Sequence, residues 1–181
     1  MRYYFALALL LSTPATAATS DAFGLSQGQA ENTLKIHRKT GRHSYEVRVP
    51  SPLSEFTSYQ VAATPKTGVC KVVGVGRTRY SGEDLKRAFD RLSQDLSRRY
   101  GHGERLDVLK PSSTLRADTQ WLDALRKGDR TLSLHWDRSE GSSMPSSIET
   151  VMLDVNALNA RGGYLTLSFE FRNFRQCRPL L

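Results

Sequence analysis

The chain has 181 residues, with 26 basic against 18 acidic side chains for a formal charge of +8, and two cysteines. That length suffices for one domain with a buried core, and no apolar stretch approaches the roughly 20 residues of a membrane-spanning helix. A basic balance suits lipid head groups, polysaccharide or an acidic protein as partners, without choosing among them.

The start, Met1-Arg2, leads into an apolar run from Tyr3 to Leu11 and then an Ala15-x-Ala17 exit. A positive end, a short apolar centre and small residues at the exit describe a secretory signal peptide over residues 1–17. No cysteine stands near the exit to carry a lipid. The expected product is an exported single domain, residues 18–181. In an oxidising compartment an even pair of cysteines forms a disulfide, so Cys70 and Cys177 are expected to be bonded.

A first helix is expected from Gln27 to Lys35. Three short strands follow: Tyr45-Glu-Val-Arg-Val49, Ser58-Tyr-Gln-Val-Ala-Ala63 and Val69-Cys-Lys-Val-Val-Gly-Val75. Ser81 followed by Asp84 makes a capping-box-like start. Leu85, Ala88, Phe89, Leu92 and Leu96 then form an apolar stripe at helical spacing, which predicts a helix over 82–100 with Gly101 as its stop. A shorter helix starts at Asp118, turns Trp121, Leu122 and Leu125 inward and stops at Gly128. Beyond it Leu132, Leu134 and Trp136 alternate with Thr131, Ser133 and His135, and Val151, Leu153 and Val155 mark another strand. The clearest segment is 163–174, where Leu165, Leu167, Phe169 and Phe171 alternate with Thr166, Ser168, Glu170 and Arg172, as in a half-buried antiparallel strand. This order reads as a helix-plus-three-strand pseudo-repeat, with halves 22–79 and 118–177 joined by the helix 82–100. The fold class expected is α+β, antiparallel sheet with helices packed on one face, and the disulfide would staple the halves together.

Two Lys-Thr-Gly triplets, at 39–41 and 66–68, invite comparison with serine acyl-enzymes. That chemistry also needs Ser-x-x-Lys, and no lysine here has serine three residues before it; both triplets are read as turns. There is no His-Glu-x-x-His and no Cys-x-x-Cys, and Gly74-Val-Gly76 is read as a close-packing or bulge site in a strand. His37 and His43 flank a turn but are too few for a zinc site. His102, between two glycines and near Glu104, could act as a general base; His135 points away from the core on its strand. No catalytic residue, cofactor or metal is assigned. Aromatic and basic residues interleave over 171–178, but the phenylalanines are already assigned to the core, so no nucleic-acid partner is expected.

The candidate binding surface is the outer sheet face with His135, Tyr164, Glu170 and Arg172, a mixture frequent in interfaces. The polar loop 139–147, with Met144 near its tip, is a second candidate.

Several stretches resemble a family of small exported proteins of Gram-negative bacteria with no assigned activity. They are Ala22-Phe-Gly-Leu, Tyr59-Gln-Val-Ala-Ala-Thr-Pro-Lys-Thr-Gly-Val-Cys-Lys71, Trp121-Leu-Asp-Ala-Leu-Arg-Lys127, residues 157–174 and Cys177. Gln27-Gly28 stands where the family pattern has Met-Gly. The resemblance implies periplasmic residence, an α+β build and the paired cysteines, and brings no catalytic residue. The functional expectation is a periplasmic, non-enzymatic module that binds another exported or envelope protein, as an immunity or inhibitor factor or an assembly factor. The alternatives are a small hydrolase using His102 or His135, and a binder of anionic envelope polymers.

Overall fold

The computed structural model describes residues 22–138 and 143–180; residues 1–17, read as a leader, and 139–142 of the polar loop 139–147 lie outside these. Eight strands form one antiparallel sheet: β1 (Lys35–Lys39), β2 (Ser44–Arg48), β3 (Phe56–Thr64), β4 (Gly68–Gly76), β5 (Glu104–Leu109), β6 (Arg130–Asp137), β7 (Ile148–Asn159) and β8 (Gly162–Phe171). Their spatial order is β1-β2-β3-β4-β8-β7-β6-β5, so each half contributes a four-stranded meander and the halves join where β4 pairs with β8. Three helices accompany them: α1 (Gly82–Tyr100), α2 (Trp121–Arg126) and α3 (Phe174–Cys177).

The α+β class holds, with two corrections to the expected repeat. Residues 27–35 do not form a helix; a single 3-10 turn, Glu31–Thr33, leads into β1. With only Ala30 and Leu34 apolar, the segment has no stripe to bury, and Gly28 already adopts φ +73°. Instead, Gly28 N–H donates to the Val69 carbonyl and Val69 N–H to the Gln29 carbonyl, tying the segment to the β3–β4 turn. The second correction is that each half carries a fourth strand that the pattern did not mark, β1 and β5, at the two edges of the sheet. In β5 two charged side chains turn toward the helix layer: Arg105 lies 5.0 Å from the Phe89 ring and bonds Asp90, and Asp107 bonds Arg130. Leu106 and Val108 face the other way, an inversion of the usual alternation that an edge strand tolerates.

α1 forms as its sequence predicts. Asp84 N–H donates to the Ser81 hydroxyl at 3.4 Å, Glu83 and Asp84 occupy the first turn and Arg98 and Arg99 the last, complementing the helix dipole. Gly101, at φ +86°, ends it. Leu85, Ala88, Phe89, Leu96 and Tyr100 are buried against β7 and β8, while α2 buries Trp121 and Leu122 against β6 and β7. The paired inner residues Val151 and Phe169, Leu153 and Leu167, and Val155 and Leu165 form the centre of this layer. Each such side chain contributes about 1.5–3 kcal/mol by leaving water.

Among the described residues no helix covers the inner face of the first half. Phe23 takes that place, with ring contacts to Phe56, Tyr59 and Phe169 at 5.5, 4.7 and 5.4 Å. It sits on a turn whose three residues, Ala22, Phe23 and Gly24, all have positive φ. Gly74 provides the floor: a Cβ there would stand 2.7 Å from the Phe23 ring, so this glycine of Gly74-Val-Gly76 is a close-packing site.

Both Lys-Thr-Gly triplets are hairpin connections, β1–β2 and β3–β4. At the second, Gly68 takes φ +63° against the Gly28 backbone, where a Cβ would be 2.3 Å from the Gly28 carbonyl oxygen. The Asn173 side-chain amide donates to the Thr67 and Val69 carbonyls, seating the C-terminal segment on the same turn.

Cys70 and Cys177 are disulfide-bonded, with Cα atoms 6.3 Å apart. Ala62 pairs with Lys71 and Ala63 with Val69, leaving Cys70 as the extra residue of a bulge. The bulge breaks the alternation and packs Cys70 with Ala62, Phe174 and Cys177 in a small cluster apart from the main core. The bond therefore clamps α3 onto the β3–β4 hairpin and joins the halves a second time.

Candidate functional site

Both α1 and α2, with Phe23, cover one face of the sheet. On the other face α3 covers a corner at Lys71, whose ammonium lies 5.3 Å from the Phe174 ring. Pairing registers define that open face. One row runs Glu104, His135, Met152, Ser168, Val73 and Gln60 from β5 to β3. The neighbouring rows hold Leu106, Ser133, Asp154, Thr166 and Val75 on one side, and Asp137, Thr150, Glu170 and Lys71 on the other.

At its centre the face is polar yet desolvated. Ser133 and Ser168 are 1% and 4% exposed, and neither hydroxyl meets a hydrogen-bond partner among the described residues. Asp154, directly opposite Ser133, has its carboxyl pushed above the ordinary range by burial, an effect that the charges of His135 and Lys71 partly oppose. Lys71 and Glu170 are cross-strand partners joined by an ion pair of 2.8 Å, both about a quarter exposed. Buried polar groups normally find partners, and leaving one unpaired costs on the order of 1–3 kcal/mol.

Of the surface expected from sequence, His135, Tyr164 and Glu170 lie on this face; Tyr164 pairs with Asn156 two residues along β8 from Thr166. Arg172 is exposed beyond the end of β8, where its N–H donates to the Ser147 carbonyl. Met144 differs: it is 5% exposed and belongs to the main core, because the segment folds back over the sheet end, with Ser143 bonding the Arg99 carbonyl. It is an anchor of its loop rather than an exposed tip. Ser133, Asp154 and Ser168 were not singled out in the sequence, although their alternation with core residues already placed them outward.

The other candidate chemistries are dispersed. His102 is exposed, and its two neighbours are held by structure: Gly101 accepts from Trp136 Nε1 at 2.9 Å, and a Cβ at Gly103 would meet the Trp136 ring at 2.7 Å. His37 and His43 lie at the β1–β2 hairpin, away from His135 on β6. The expectation that the chain holds no Gly-x-Ser-x-Gly is corrected by Gly24-Leu-Ser-Gln-Gly28, which has the spacing of a nucleophile elbow. An elbow joins a strand to a helix; here the residues follow the left-handed turn at Phe23, Ser26 is exposed and Gly28 bonds Val69, so the elbow is not formed. Among the described residues no group of three or more His, Cys, Asp or Glu side chains is arranged to hold a metal ion.

The fold and this face define a disulfide-linked α+β protein with one helix-backed sheet and an open polar face. Comparison of the chain with known protein families, characterised proteins and solved structures gave no match. Among the described residues no helix is long and apolar enough to cross a membrane.

Proposed function

We propose that this is an exported, non-enzymatic protein-binding module that engages another exported or envelope protein through the open sheet face. The observation that carries the reading is the pair of buried, unpartnered hydroxyls, Ser133 and Ser168, set beside Asp154, His135 and the Lys71–Glu170 ion pair. Such a face lacks the large apolar area of a permanent interface and suits a partner that supplies hydrogen-bond donors and acceptors of its own. The disulfide and the leader-like start support an oxidising, extracytoplasmic setting. An immunity, inhibitor or envelope assembly role fits this mode of action. Residues 1–17 act in this reading as a cleaved signal peptide.

The test immobilises the oxidised mature chain, captures proteins from an envelope extract and washes at about 0.5 M salt, where exposed charge attraction is largely screened. The captured protein is then purified and its binding measured against variants. Met152→Arg and Ser168→Tyr, both on the open face, are expected to abolish binding, while Lys86→Glu on α1 leaves it intact. Equal binding by all three variants would overturn the assignment of this face. Turnover lost in His102→Ala or His135→Ala would instead support a hydrolase.

A further inference from the structure

We propose that the β1–β2 end of the sheet is a second, separate site that binds a linear phosphate polyanion, held chiefly by Lys35 and Arg48. Residues 35–48 carry five basic side chains, Lys35, Arg38, Lys39, Arg42 and Arg48, against one carboxylate, Glu46. That carboxylate is already taken by Arg38 at 2.8 Å. Lys35, Lys39, Arg42 and Arg48 have no carboxylate within ion-pair distance among the described residues. On α1 the pattern is different: Lys86, Arg87 and Arg98 each pair with an acid one turn away. The positive charge of α1 is locally balanced, whereas that of the β1–β2 hairpin is not.

Register sharpens the contrast. Lys35 and Arg48 are direct cross-strand partners, and like charges in that position destabilise an antiparallel pair. The two cations border a groove of about 400 Å³ that also presents His37, the Thr57 and Ser58 hydroxyls and the Glu46 carboxylate that Arg38 neutralises. Both His37 and Thr57 are the extra residues of bulges, in β1 and β3 respectively, a device that re-aims side chains near sites. Lysines on an edge strand can serve merely to block edge-to-edge pairing. That role needs no second cation on the neighbouring strand and no hydroxyl-lined groove. Phosphate oxygens would accept from ammonium, guanidinium and hydroxyl donors alike. Lys39 stands opposite the buried Tyr45 and so projects to the other face, but Lys35, Arg38 and Arg48 share one face, and from Lys35 to Arg38 the strand spans roughly 10 Å, past the reach of one phosphate. A chain of repeated phosphates matches that spacing.

The experiment measures fluorescence anisotropy of labelled linear polyphosphate on the full oxidised protein. Lys35→Gln/Arg48→Gln is expected to weaken binding about 25-fold, from about fivefold per basic residue removed near an anionic surface. The matched control Lys86→Gln/Arg87→Gln, with the same change of charge on α1, is expected to stay within about twofold of the unchanged chain. Lys35→Arg, which keeps the charge, should retain affinity and guards against loss of fold in the double variant. Equal weakening by both double variants would reduce the effect to net charge and overturn the site. Binding to phosphatidylglycerol vesicles without binding to polyphosphate would also overturn it, in favour of a lipid surface. Orthophosphate competing as well as the polymer, phosphate for phosphate, would refute the extended match. Met152→Arg leaves this binding unchanged, so the two sites stand or fall separately.

Discussion

Replacing both cysteines, Cys70→Ala/Cys177→Ala, is expected to remove most of the margin that holds the two halves together. The bond spans 107 residues of sequence. In the chain-entropy treatment, closing a loop of that length costs the unfolded chain about 5 kcal/mol of freedom at 25 °C, which the disulfide transfers to native stability. Both sulfurs are fully buried with Ala62 and Phe174, so truncation adds a small packing loss. The native fold itself should survive, because β4 still pairs with β8 and Asn173 still bonds the Thr67 and Val69 carbonyls. Urea unfolding of the oxidised chain and the double variant, followed by circular dichroism, reads the difference directly. The expected loss is about 4–5 kcal/mol, equivalent to roughly 10–20 °C in Tm for a domain of this size. Hydrogen exchange should rise first over residues 172–180, where α3 loses its clamp. A loss below about 1 kcal/mol would refute the reasoning: it would mean that the unfolded chain holds its halves together without the bond.

Two carboxylates give opposite dependences on pH. The hydrogen bond from Arg79 holds the Asp84 carboxyl below its ordinary range, so its contribution is present above the unfolded value and fades as pH falls through the folded one. Burial raises Asp154, so its contribution is present below the unfolded value and is lost as pH rises through the folded one. Asp84→Asn should therefore lower the urea midpoint at neutral pH and Asp154→Asn should raise it, with both differences vanishing well below about pH 3, where both carboxyls are protonated. Phe23→Ala should cost about 3–5 kcal/mol, since its ring meets Phe56, Tyr59 and Phe169. Gly74→Ala should be costly alone and less costly in the Phe23→Ala background, where the nearer of the two rings that its Cβ would meet is gone and Phe56, at 3.0 Å, remains. Additive effects in that double-mutant cycle would rule out the proposed close approach.

The strands that bury one face were legible because alternation at period two records burial directly, as in 163–174. β1 and β5, the two edges, were not: every β1 residue is exposed, and β5 sends Arg105 and Asp107 to the helix side to meet Asp90 and Arg130. Edge strands are specified by a neighbour's free hydrogen-bonding groups more than by their own side chains. Residues 27–35 misread as a helix for a related reason. Their backbone is claimed by the β3–β4 turn, a partner about 40 residues away. Met144 was placed by composition on a polar loop, yet one apolar residue in such a loop can serve as its anchor to the core.

By itself the sequence determined the class of fold, the run of α1 with its cap and stop, the core faces of six strands and the chemistry of the two cysteines. These follow from local periodicity, capping and covalent possibility, all of which act over a few residues. Tertiary structure alone decided that the halves form one sheet through β4 and β8, that the open face brings Ser133, Asp154 and Ser168 together, and that Lys35 stands opposite Arg48. Those juxtapositions depend on register between strands distant in the chain, and register is set by which faces can be buried at once.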